Sequence, residues 1–202
     1  MPREPIQFVP GKTRMVSHRI NQKGASASGD IVGGNKTEKH YHAPPARAGV
    51  VEQLLGKLRT EMEQKEKIRH TIESLAHFHT RRSRDGIDGL QAKLEAGDRS
   101  HEYFDALDRK ELFAKLLEKW SLYASAQEIF AVLLARIDHE FNYLVYPQIL
   151  DLDQIEINQL VTHRIVEPVI TECGSSVFTL NHRMVMGMIY WLAEQCFVRW
   201  HR

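Results

Sequence analysis

The stretch "AQEIFAVLLARIDHEFNYLVY", residues 126–146, carries apolar side chains on nearly every face of a helix. A helix that is apolar all round has nowhere to lie except inside a core, with other helices around it. The stretch therefore predicts a central buried helix, with Ile129, Phe130, Leu133, Leu134 and Ile137 at its middle and Pro147 ending it. The chain has 202 residues, 43% of them hydrophobic, which supports one modest core with an appended arm.

The surrounding text supplies the other helices. "SHEYFDALDRKELFAKLLEKW" places Phe104, Leu107, Leu112, Phe113, Leu116, Leu117 and Trp120 on a broad apolar face. "LDQIEINQLVTHRIVEPVITECG" reads as a further helix, bent or restarted at Pro168 and stopped by Gly174. Asn181 is a good N-cap for "HRMVMGMIYWLAEQ". Upstream, Val51, Leu54, Leu58, Ile68, Ile72 and Leu75 follow a heptad seam with Glu61 and Lys65 at seam positions. That pattern predicts a long helix from Val50 toward Thr80, or a helical hairpin. "VFTLN" and the alternating "CFVRWH" predict a short β pair at the end.

The N-terminal quarter has a different composition. Residues 1–17, with Pro2, Pro5 and Pro10 among charges, are expected to be a flexible N-terminus that orders only on docking. Residues 18–49 are polar, small and rich in glycine, and end in the Pro44-Pro45 linker. They predict short strands that must pair among themselves, with a second copy or with a partner. The arm residues expected to carry this docking are Ile20, Asn21, Gly24, Gly29, Asp30, Ile31, Val32, Gly33, Gly34, Asn35 and Lys36. The fold class is thus mainly α: a helical domain over residues 50–202, preceded by a glycine-rich β-like arm.

Several chemistries are disfavoured by spacing. Gly29 and Gly34 imitate the glycines of a phosphate-binding loop, but Asn35 displaces Lys36, no apolar strand precedes, and no helix follows. The Gly11–Thr13 triplet fails because Ile6 stands where the first glycine belongs. Among eleven histidines, His40 and His42 or His77 and His79 lack partners at ligand spacing. Asp138-His139-Glu140 has no nucleophile with it, and no esterase elbow or metalloprotease signature occurs. Cys173 and Cys196 have no metal spacing and read as reduced, buried thiols. Met184, Met186, Met188, Tyr190 and Trp191 read as core. The expectation is therefore a protein that is not an enzyme, with no catalytic, cofactor or metal site.

Basic and acidic residues nearly cancel, 27 against 26, which argues against general nucleic-acid affinity. The dense basic patch is Arg81, Arg82 and Arg84, with Arg69 and His77 upstream; it is a candidate contact for phosphate or an acidic partner. The bland alternative is a solvated turn. No stretch has the length and apolarity of a membrane span, and no apolar signal core opens the chain, so a cytoplasmic location is expected.

Two stretches resemble a known family. "INQKGASASGDIVGGNK" is similar to a segment common in bacterial conflict systems. "MVMGMIYWLAEQCFVRW" resembles the ending of small accessory subunits in ABC-three-component systems, the group that includes the Lamassu antiphage defences. The resemblance implies a non-catalytic interaction subunit. Its partners would be an SMC-like coiled-coil ABC ATPase and an effector such as a nuclease. DNA would be met through the complex rather than alone. The arm's composition, read by itself, also allows self-association through the arm. A stand-alone nucleic-acid-binding or regulatory module is the alternative.

Overall fold

The computed structural model describes residues 49–82 and 86–201. The chain divides into two units, Met1–Ala46 and Arg47–Arg202, and the described residues all lie in the second. At its centre is helix α5, Ala124–Glu140, flanked in chain order by α1 (Val50–Gln64), α2 (Glu73–Ala76), α3 (Gly89–Ala96) and α4 (Tyr103–Trp120). After it come α6 (Gln154–Val161), α7 (Glu167–Cys173) and α8 (His182–Glu194). The five residues predicted for the middle of α5 are all 0–1% exposed. The mainly α class holds, and no strand occurs among the described residues.

Helices α4 and α8 share the most extensive contact, with Phe113 edge-on to both Trp191 and the α5 residue Phe130 at 5.9 Å. Helix α1 lies antiparallel to α5. The Glu61 carboxylate at its C-terminal end accepts hydrogen bonds from the Ser125 backbone N–H at 3.2 Å and from the Ser125 hydroxyl at 2.6 Å. It thereby satisfies an otherwise orphaned donor in the first turn of α5.

Two punctuation marks act as the sequence predicts. Asn181 Oδ1 accepts from the Met184 N–H at 3.1 Å, and Gly174 (φ 49°) closes α7. The expected bend before Pro168 is a π turn, Thr162–Val166, joining α6 to α7. A second π turn, Phe141–Val145, follows α5 and tightens to a 3-10 turn at Tyr146–Gln148, where Pro147 sits.

Helix α1 stops at Gln64, short of Thr80. Lys65 takes a left-handed φ of 56°, and its N–H returns to the Glu61 and Met62 carbonyls. The polar run Glu61–Lys67 has no apolar face to bury, and a side chain from elsewhere captures the backbone beyond it. Gln127, 2% exposed, accepts the Ile72 N–H at 2.8 Å and donates to the His70 carbonyl at 3.1 Å. The chain then doubles back through α2 and a 3-10 turn at His77–His79, so the hairpin is the nearer of the two expected forms.

The terminal β pair is also absent. Cys196 has a φ of 64°, and the Phe197 and Val198 N–H groups return to the Leu192 carbonyl at 2.8 and 3.5 Å. A segment whose first three donors, Cys196, Phe197 and Val198, close the end of α8 in this way does not start a ladder with Val177–Thr179.

Gly56 sits in α1 with open space around it. Gly56→Ala is expected to stabilise the domain by about 1 kcal/mol, the ordinary helix-propensity gain, measured by denaturant melts.

Candidate interaction site

The turn after the His77–His79 3-10 turn brings two of the three candidate arginines onto the end of α8. Arg81 Nη2 lies 2.7 Å from Glu194 Oε1. The other carboxylate oxygen of Glu194 accepts the Leu90 N–H at 3.1 Å and faces Lys110 Nζ at 3.4 Å. Arg82 donates its backbone N–H to the Gln195 carbonyl, and its guanidinium donates to His77 Nε2 at 2.7 Å. The same guanidinium lies 4.7 Å over the Phe197 ring, and the Phe78 ring is 5.0 Å from that of Phe197. Both arginines thus strap the turn to α8. Arg84 and every named arm residue from Ile20 to Lys36 lie outside the described residues.

Burial works to raise the Glu194 carboxyl, but the Leu90 N–H, Lys110 and Arg81 together outweigh it and hold the group below its ordinary 4.5. A carboxyl depressed in the folded state stabilises fully above the unfolded value, and that contribution fades as pH falls through the folded one. Glu194→Gln is therefore expected to lower the melting temperature at pH 7. The gap to the unmutated chain should close as pH drops below about 4.5.

The family-like ending is built into the core. Ideal Cβ placement at Gly187 would fall 2.2 Å from the Arg109 carbonyl oxygen, so only glycine allows α4 and α8 to approach this closely. Trp200 packs 4.9 Å from Phe141, and the Phe197 carbonyl accepts from Asn142 Nδ2 at 3.2 Å. Arg99, 2% exposed, places its guanidinium 4.7 Å over Trp200 and donates to Glu102 Oε1 at 2.7 Å and Asn158 Oδ1 at 2.9 Å. Tyr190 donates to Glu102 Oε2 at 3.4 Å; burial first, then the Glu102 charge, push the phenol's pKa up. Nothing in the sequence around Arg99 marks it as buried.

The remaining candidates are separate from one another. His77 faces Arg82, whereas His79 packs 5.3 Å from Trp191. Asp138 accepts from Asn142, and the His139 ring lies 4.4 Å from that of Tyr143, both within one turn of their own helix. Cys173 and Cys196 are buried and unpaired, and burial with the Glu172 charge pushes the Cys173 thiol up to about 11. No group of three or more metal-ligating side chains occurs among the described residues, and no described helix is long and apolar enough to cross a membrane.

Two of the concavities among the described residues are larger than the third, a pocket of about 190 Å³ beside Trp191. One of about 370 Å³, between α4, α6 and α8, is lined by Glu102, Asp105, Arg109, Asn158, His182 and Tyr190. Its carboxylates are already matched, Glu102 with Arg99 and Asp105 with Arg109. The other, about 680 Å³, is a groove over α5. Its floor is Glu128, Ala131, Val132 and Ala135, spaced i, i+3, i+4 and i+7. Its walls are α1, through Leu54 and Lys57, and the doubled-back segment, through Ser74, His77 and Phe78. His77 joins this groove to the arginine strap.

The family model for C-terminal domain 9 of the ABC-three component (ABC-3C) systems matches residues 89–200. No curated protein and no solved structure matches the chain. The matched span runs from the start of α3 through Trp200, which meets the Phe141 ring edge to face and lies under the Arg99 guanidinium. Since that span is more than half of its 202 residues, the chain belongs to the ABC-three-component family through this C-terminal domain.

Proposed function

We propose that the chain is a non-catalytic interaction subunit of a bacterial, cytoplasmic antiphage defence complex of Lamassu-like type, linking an SMC-like ABC ATPase to an effector such as a nuclease. The observation that carries this reading is the family match over α3 to Trp200. The internal use of charge supports it. Arg81, Arg99, Lys110, Glu102 and Glu194 are matched within the chain, and those contacts hold the fold together.

The test is an assay of the purified full chain alone and then with the other components of its system. ATP and DNA turnover are expected only when the ATPase and effector are present. Turnover of either by the chain alone would overturn the non-catalytic reading. Tight, salt-dependent DNA binding by the chain alone would favour the stand-alone module with Arg81, Arg82 and Arg84 instead.

A further inference from the structure

We propose that the strap from His77 to Arg82 is an acid-sensitive latch, closed while His77 and His79 are neutral and released when they take up protons. The strap lies outside the matched span 89–200 and clips onto the end of α8. The Arg82 N–H reaches the Gln195 carbonyl at 3.0 Å, and Arg81 pairs with Glu194 at 2.7 Å. Upstream, the Phe78 carbonyl accepts from Trp191 Nε1 at 3.3 Å, and the Phe78 ring lies 5.0 Å from that of Phe197. Release of the strap would loosen the junction between residues 49–82 and the matched domain.

The His77 contact exists in one protonation state only. The Arg82 guanidinium lies 2.7 Å from Nε2 and 3.2 Å from Nδ1. A neutral imidazole offers that permanent cation one nitrogen lone pair, and a protonated ring offers none. Protonation also sets a second positive charge against the guanidinium, which is held in place over the Phe197 ring.

His79 reaches the same bias by another route. Its ring meets Trp191 edge-on at 5.3 Å, and burial holds the imidazole below its ordinary 6.5. A histidine depressed in the closed form favours closure above about 6.5, and that contribution is lost as pH falls through the depressed value.

Charges on the neighbouring elements do not reverse this. Glu73 of α2 stands one turn before His77, and Lys57 of α1 and Glu128 of α5 line the groove beside it. Glu118 of α4 lines the small pocket beside His79. Among the described residues neither ring is ion-paired with these carboxylates, whereas Arg82 is in hydrogen-bond contact with His77. Arg81 is engaged by Glu194, whose carboxyl, held below 4.5, stays ionised while histidines titrate.

The test is hydrogen exchange of the full chain, read by mass spectrometry as protection factors, which removes the intrinsic pH dependence of exchange. The Arg82 amide and its neighbours from Phe78 onward are followed from about pH 7.5 to about pH 5.5, the range in which histidines titrate. Their protection should fall roughly three- to ten-fold, the loss of one hydrogen-bonded contact, while protection of α5 stays constant. His77→Gln keeps an acceptor for Arg82 without titrating, and His79→Gln removes the second group. The double variant should therefore lose the pH dependence. Arg82→Ala should lower protection of the strap already at about pH 7.5 and leave only the shallower dependence of His79. No fall in the unmutated chain, or an undiminished fall in the double variant, would overturn the latch. A parallel fall in α5 would also overturn it, since the acid response would then be global unfolding.

Discussion

Leu133→Asp leaves the chain without a cooperative melting transition. Leu133 lies in the middle of α5 with no exposed surface, enclosed by the helices on either side. Removing its side chain alone costs about 2–5 kcal/mol through lost burial and the cavity left behind. An aspartate adds a carboxylate that must ionise in an apolar core or stay protonated, a further cost of several kcal/mol. The sum approaches the 5–15 kcal/mol, roughly, that holds an ordinary domain together. Thermal and denaturant melts followed by circular dichroism check this. A soluble variant with an unchanged transition would mean that α5 is not the centre of the core.

Gly187→Ala should destabilise the domain, although alanine is the better helix former. At an exposed helical glycine such as Gly56, gain of a methyl group is favourable. At Gly187 the same methyl would meet the Arg109 carbonyl oxygen at 2.2 Å and the Phe113 Cβ at 3.1 Å. The first contact is with backbone, so α4 and α8 must separate over their most extensive interface. The expected loss is about 2–3 kcal/mol, or a drop in melting temperature on the order of 5–10 °C. The two glycines form a matched pair, since the same substitution has opposite expected signs. An equal rise at both positions would show that α4 and α8 do not approach as described.

Much of this architecture is legible locally, and the exceptions share one cause. The burial of α5 follows from apolar residues on every face. The Asn181 cap and the Gly174 stop follow from side-chain and backbone preferences at single positions. The end of α1 does not, because Gln127, more than fifty residues away, supplies the hydrogen bonds that hold the chain at His70 and Ile72. "CFVRWH" alternates like a strand, yet its donors turn back onto α8 and its aromatics fill separate slots between helices. Arg99 reads as one more surface charge until Trp200, Glu102 and Asn158 converge on it from three parts of the chain. The groove is assembled from α1, α5 and the Ser74–Phe78 segment, so no single stretch signals it.

The family-like ending is legible in the sequence as a pattern, and its physical content lies in packing. Gly187 sets the α4–α8 distance, Tyr190 engages Glu102, and Trp200 covers Arg99. These residues specify the fold of the matched domain.

The most direct measurement of the central claim is the native mass of the full chain co-expressed with the other components of its system. A defined complex containing this chain and the ABC ATPase component, with the effector joining in fixed ratio, is the expected result. A chain that remains alone, or pairs only with itself, while the ATPase and effector assemble without it would contradict the claim.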